Sequence, residues 1–167
     1  MALSNEFLLE KLQTQFGEAI LGSEQVRDYL NVEVDASKMA DIAKFLRSDA
    51  ELNFMFLTDL CGVHMPDQTG KELGVVYHFH NLEENYRFRL KAWLPIQDPS
   101  IETVSNIWDG ANWMERETYD FFGIIFKNHP NLKRILNVDH MEMFPLRKEF
   151  PLEDTTREDK DDRFFGR

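Results

Sequence analysis

Three runs of alternating residues, 53–64 (NFMFLTDLCGVH), 72–81 (ELGVVYHFHN) and 86–94 (YRFRLKAWL), constrain the fold more than any other feature of the chain. Alternation with a period of two belongs to a strand that buries one face and wets the other. In the third run Tyr86, Phe88, Leu90, Ala92 and Leu94 share one side, while Arg87, Arg89 and Lys91 share the other. The turn-rich MPDQTGK and the polar LEEN are all that separate the runs. Connections that short cannot carry a parallel crossover, so the three runs predict an antiparallel meander.

The flanking segments must cover its apolar face. Phe7, Leu8, Leu12 and Phe16 recur at near-helical spacing over 5–16 and stop at Gly17, which suits a left-handed helix end. Val26, Leu30, Val32 and Val34 keep one parity and predict a half-buried strand over 25–34. Met39, Ile42, Ala43 and Leu46 mark the inward stripe of a second helix, with Ser37 as its cap. Beyond the meander, Asp98 and Pro99 read as cap and first residue of a short helix carried by Ile101, Val104, Ser105 and Trp108.

A third helix is predicted over 112–122, capped by Asn112, with Glu115 in capping-box position and Gly123 as its close. IIFK then reads as a brief strand and HPNLKRIL as a helical turn begun by Pro130. MEMFPLRKEFPL reads as an extended arm, because Pro145 and Pro151 disfavour helix in the residues before them. The expected fold class is therefore α+β: helix–strand–helix, a largely antiparallel sheet, a short charged and aromatic helix, and an extended C-terminal arm. The expected division is a compact α+β domain over 1–143, with an extended, partner-binding arm and an acidic, flexible tail over 144–167.

At 167 residues the chain has length for one domain that buries roughly two-thirds of its unfolded surface. A formal net charge of −11 opposes binding to nucleic acid or anionic lipid, whose affinity rests on lysine and arginine. The single cysteine, Cys61, excludes an intramolecular disulfide and any all-cysteine cluster in this chain. No stretch approaches the roughly 20 apolar residues of a membrane helix, so no membrane insertion is expected. Scattered single glycines give no phosphate-cradling loop, and no nucleophile elbow is present.

The stretch ERETYDFFG, 115–123, concentrates charge among rings. A hydrolytic acid/base pair needs two carboxylates across a cleft, and two on one short helix cannot flank a substrate. Two readings remain. The helix face is solvated, with an Arg116–Asp120 pair worth only about 0.3–0.5 kcal/mol, or these groups are buried against other backbone and another chain. Trp113, Tyr119, Phe121 and Phe122 favour the second, because rings this dense ask for cover. Cys61 with His64, and His78 with His80, have ligand-like spacing, yet no second close cluster completes a metal site. The paired histidines are expected on the wet sheet face near Arg87 and Arg89.

The run GANWMERETYDFFGIIFKNHPNLKRIL, followed by FPLRKEFPL, resembles the thirty-kilodalton subunit of respiratory complex I, the one lettered C in bacteria. Gly110 to Trp113, Glu115 to Glu117, Asp120, Gly123, His129, Pro130, Arg134 and Pro145 to Lys148 fall in that family's order and spacing. The likeness runs over 53–152; Phe144 stands where histidine is common and Glu149 where aspartate is common. The resemblance implies a peripheral-arm domain of a proton-translocating NADH:quinone oxidoreductase, on the cytoplasmic side of a bacterial membrane. It implies no catalytic, cofactor or metal residue in this chain, while the complex uses NADH, FMN, iron–sulfur clusters and quinone. It implies packing chiefly on the larger subunit lettered D, which with the one lettered B forms the quinone cavity, and contact with other peripheral-arm subunits. The residues it marks as interface or scaffold are Trp113, Glu115, Arg116, Glu117, Asp120, His129, Arg134, Pro145, Arg147 and Lys148. The alternatives are the equivalent subunit of an energy-converting nickel–iron hydrogenase, or an independent binding module or hydrolase.

Overall fold

The computed structural model describes residues 3–27 and 29–150, so the acidic end of the chain lies outside the described residues. Helix α1 (Asn5–Phe16) begins where the Ser4 hydroxyl accepts from Phe7 N at 3.2 Å and ends at Gly17, whose φ of 50° few other residues adopt at ease. The predicted strand over 25–34 is instead the second half of a hairpin. β1 (Ile20–Val26) pairs antiparallel with β2 (Tyr29–Val34), and the chain turns between them with Arg27 at φ 55°.

Asp35, not Ser37, supplies the next cap. Its carboxylate accepts from Ser37 N at 2.8 Å and closes a single tight turn, Ala36–Lys38, from which α2 (Met39–Ser48) continues. The meander then forms as its alternation requires: β3 (Phe56–His64), β4 (Leu73–Asn81) and β5 (Tyr86–Leu94) pair antiparallel in sequence. β2 joins β5 in parallel, giving one five-stranded sheet of order β1-β2-β5-β4-β3. The fold is α+β with a mostly antiparallel sheet.

One sheet face and the helices share a single core. Leu8 and Leu12 of α1, Met39, Ile42, Ala43 and Leu46 of α2, and Phe79, Phe88 and Leu90 of the sheet are all buried in it. Each of these side chains larger than alanine contributes about 1.5–3 kcal/mol by leaving water. Phe54 stacks obliquely on Phe88 at 4.8 Å, and the Trp108 indole N–H donates to Phe54 O.

The helix predicted after Asp98 is absent. Ser100–Glu102 forms β6, which pairs in parallel with β7 (Ile125–Lys127). Between them α3 (Ala111–Phe122) lies along β3, the end strand of the large sheet. Phe122 packs where a Cβ on Gly62 would sit, so only glycine lets helix and strand meet this closely. α3 thus faces the core on one side and the C-terminal loop on another.

Candidate functional site

α3 needs no side-chain cap. Gly110 stands at its start, and Asn112 lies inside the helix with its carbonyl accepting from His129 Nε2 at 3.1 Å. Glu115 does not reach back to close a capping box; it turns into the protein and is fully buried. Its carboxylate accepts from Val104 N at 2.7 Å and from the Thr103 hydroxyl, which is 2.7 Å from the Ser105 hydroxyl. Burial pushes the Glu115 carboxyl up to about 7, with the Thr103 and Val104 hydrogen bonds opposing it.

His129 stands beside it, Nε2 lying 3.8 Å from Glu115 Oε2. Its Nδ1 accepts from Asn131 N at 3.0 Å, so the proton of the neutral ring sits on Nε2 and is donated to Asn112 O. Burial lowers the pKa of His129, the Asn112 contact raises it and Arg116 lowers it, leaving a net fall. Buried carboxyl and neutral imidazole therefore tie α3 to the segment after β7.

One turn on, Arg116 and Asp120 are both buried but not paired with each other. Arg116 Nε donates to Lys133 O and Nη2 to Arg134 O, each at 3.2 Å, and the guanidinium lies 5.1 Å from the Trp113 ring centroid. Asp120 receives three successive backbone amides, Ile135 at 3.0 Å, Leu136 at 2.8 Å and Asn137 at 2.9 Å. Arg134 Nη1 completes the clamp at 2.7 Å from Asp120 Oδ1. Burial alone would raise the Asp120 carboxyl, but the Asn137 and Leu136 amides and Arg134 outweigh it and hold it well below the usual carboxylate range.

These contacts explain why HPNLKRIL, predicted as a helical turn, is irregular: its amides and carbonyls are satisfied by side chains of α3 rather than by each other. Arg134 also reaches Met143 O at 3.0 Å and stacks 5.2 Å from the Phe144 ring. The arm, expected to be extended with little helix or sheet to hold it, is bonded back to its own domain as far as Lys148, with the Glu149 carboxylate beside His64. Leu146 N donates to Phe121 O at 3.2 Å, Arg147 Nε to Phe122 O at 2.7 Å, and Lys148 N to His64 Nδ1 at 2.9 Å. Arg147 so satisfies a terminal carbonyl of α3, at the end where a cation is favoured.

Glu115, Arg116, Asp120, His129 and Arg134 are thus brought into one buried network, with Arg147 and half-buried Pro145 bordering it. Trp113, Glu117 and the Lys148 side chain point outward. Neither Thr103 nor His64 announces its role in the sequence, since Thr103 lies within helix-like spacing and His64 stands at a ligand-like distance from Cys61. The loop so held exposes Leu136 (64%), Val138 (54%), Met143 (46%) and Leu146 (42%), with Trp113 (60%) on α3 itself. On the far sheet face the strands gather Asp59, Cys61 and His78, a grouping the 61/64 spacing did not indicate.

Fold and network define a class: an α+β domain whose central charged helix is spent on holding its own C-terminal loop in one shape and presenting apolar residues from it. A family model for the respiratory-chain NADH dehydrogenase 30 Kd subunit matches residues 32–156, and the chain belongs to that family of complex I subunits. It is 46% identical over 154 residues to the C-lettered subunit of NADH-quinone oxidoreductase from Roseiflexus sp. (strain RS-1), covering 91% of this chain and 87% of that protein. The same-named protein of Geobacter sulfurreducens is 39% identical, with 95% and 96% covered. Among solved structures, a trypsin-resistant fragment of Nqo5 superposes with a TM-score of 0.66 at 29% identity, covering 76% of this chain and 98% of the fragment. A chain of an archaeal membrane-bound sulfane sulfur reductase superposes with a TM-score of 0.73 at 25% identity, covering 88% and 85%. No described helix is long and apolar enough to cross a membrane.

Proposed function

We propose that this chain is a non-catalytic peripheral-arm subunit of a proton-translocating NADH:quinone oxidoreductase. It docks on the larger D-lettered subunit of the quinone-reducing module, with the B-lettered one nearby. NADH, FMN, iron–sulfur clusters and quinone are handled by its neighbours, on the cytoplasmic side of a bacterial membrane. The observation that carries this reading is the Asp120 clamp: three amides in a row and one arginine fixed on a buried carboxylate, with Leu136 and Val138 left exposed on the held loop. A loop that is already ordered loses little entropy on binding, which is what a surface built for a partner needs.

The test is co-expression with the homologue of that larger subunit. Leu136→Asp with Val138→Asp should abolish co-purification while leaving the melting temperature of the chain alone within about 2 °C, since both side chains are exposed. Retained co-purification would overturn the assigned docking face. The likeness to the sulfane sulfur reductase chain supports a second reading, in which the same scaffold serves a related membrane complex such as an energy-converting hydrogenase. Recovery of flavin- and NADH-binding subunits with the native complex separates the two.

A further inference from the structure

The outer face of the sheet carries a second group of chemically capable side chains. Unbroken alternation along β3 would leave Asp59 on the core face with Leu57. A register irregularity between Leu57 and Asp59 adds one residue there, and the Thr58 hydroxyl donates to His78 O at 2.9 Å. Beyond that bulge the parity is reversed. Asp59 comes to lie opposite His78, Cys61 opposite Val76, and Leu60 takes the core position. A carboxylate oxygen of Asp59, the Cys61 sulfur and a ring nitrogen of His78 then all lie within 4.8 Å of one another. Asp59 and Cys61 border a hollow of about 320 Å³ whose other wall, from α3, includes Glu117.

We propose that Asp59, Cys61 and His78 form a three-ligand binding site for a borderline divalent cation of the zinc type, with Glu117 across the hollow adding negative charge. The donor set decides the class of ion. Calcium and magnesium select all-oxygen sites, whereas one sulfur, one imidazole nitrogen and one carboxylate suit zinc and cobalt. Charge agrees: the Asp59 and Glu117 carboxylates near the thiol outnumber the Arg89 guanidinium beside it, an excess that a divalent ion offsets. Burial and Arg89 lower the pKa of His78, with Asp59 opposing, and the ring's accepting nitrogen, Nδ1, is the one Arg89 contacts. Burial and the carboxylates of Asp59 and Glu117 raise the Cys61 thiol, with Arg89 opposing, so the metal must displace its proton.

Arg89 limits the affinity. Its Nε donates to His78 Nδ1 at 3.2 Å while its guanidinium lies 4.5 Å from the Tyr29 ring centroid. A metal-bound histidine ordinarily donates its second nitrogen to an acceptor, and here it faces a donor. The ion therefore competes with Arg89, which makes this an exchangeable site rather than a closed structural one. Bound, it would cross-link edge strand β3 to β4. Leu146 of the held loop lines the same hollow, so the site borders one end of that loop, whereas Leu136 and Val138 do not line it.

The experiment is a cobalt(II) titration of the metal-free full chain at neutral pH. One equivalent should give a near-ultraviolet thiolate-to-cobalt absorption that zinc then bleaches. Cys61→Ser, nearly isosteric and checked for an unchanged melt, should remove the absorption; His78→Gln should weaken binding by roughly tenfold or more, and Arg89→Gln should tighten it. Absence of the thiolate band in the wild-type chain, a band that survives Cys61→Ser, or an affinity indifferent to Arg89→Gln would each overturn the site.

Discussion

Replacing Asp120 with alanine removes the acceptor of three loop amides and the partner of a buried arginine at once. Asp120 is fully buried, Arg134 is 2.7 Å away with its side chain 8% exposed, and the Ile135, Leu136 and Asn137 amides all converge on Oδ2. Stranding one member of a buried pair costs about 3–5 kcal/mol. Water reaching the freed amides offsets part of the loss, because the loop can lift away. At roughly 2–4 °C per kcal/mol for a chain of this size, Asp120→Ala should lower the melting temperature by about 6–20 °C. Hydrogen exchange of the three amides should accelerate before global unfolding. The lowered carboxylate pKa adds a pH signature: its stabilisation is present above the unfolded value near pH 4 and is lost as pH falls through and below it. Acid should therefore destabilise the parent more than the alanine variant. A variant melting within about 1 °C of the parent, with those amides equally protected, would refute the clamp.

Glu115 has the opposite pH sign. Its folded value of about 7 lies above the ordinary value of 4.5, so its contribution is fully present below about pH 4, declines as pH rises, and is gone above about pH 7. The span is on the order of 3 kcal/mol, and Glu115→Gln should flatten that part of the stability profile in urea titrations at several pH values. Arg147→Ala should lower stability by about 1.5–3 kcal/mol, because its Nε bonds Phe122 O at 2.7 Å and its guanidinium stacks 4.7 Å from the Phe144 ring; an unchanged urea midpoint would mean the arm is held elsewhere. Gly123→Ala should cost about 1–3 kcal/mol or displace the arm, since φ is 73° and the added Cβ would lie 2.5 Å from the Phe144 ring. Equal melts of alanine and glycine forms would contradict that geometry.

The meander was readable because each of its strands buries one face, and alternation records that directly. β1 left no such record. Its residues ILGSEQV are exposed at all but the first position, so pairing with β2 rather than a buried stripe makes it a strand. Ile101, Val104 and Trp108 mimic helical spacing, yet Ser100–Glu102 is recruited by β7, distant in sequence, and that pairing overrides local periodicity. The ERE stretch was legible as charge that asks for cover, and its partners were not. Spacing offers Asp120 to Arg116, one turn away, whereas the folded chain gives it to Arg134 and the 135–137 amides. Likewise nothing local announces that the bulge at Thr58 turns Asp59 toward His78.

If the charged residues of α3 hold structure and perform no chemistry, Glu115 is where that must be tested. A buried carboxyl with a pKa of about 7 beside a histidine is what a proton-transfer group would look like. The measurement is NADH:quinone turnover of the assembled membrane complex carrying Glu115→Gln, normalised to the amount of this chain incorporated. Turnover per assembled complex within about twofold of the parent is predicted. Normal incorporation with a loss of roughly a hundredfold, the scale of a missing acid/base group, would contradict it.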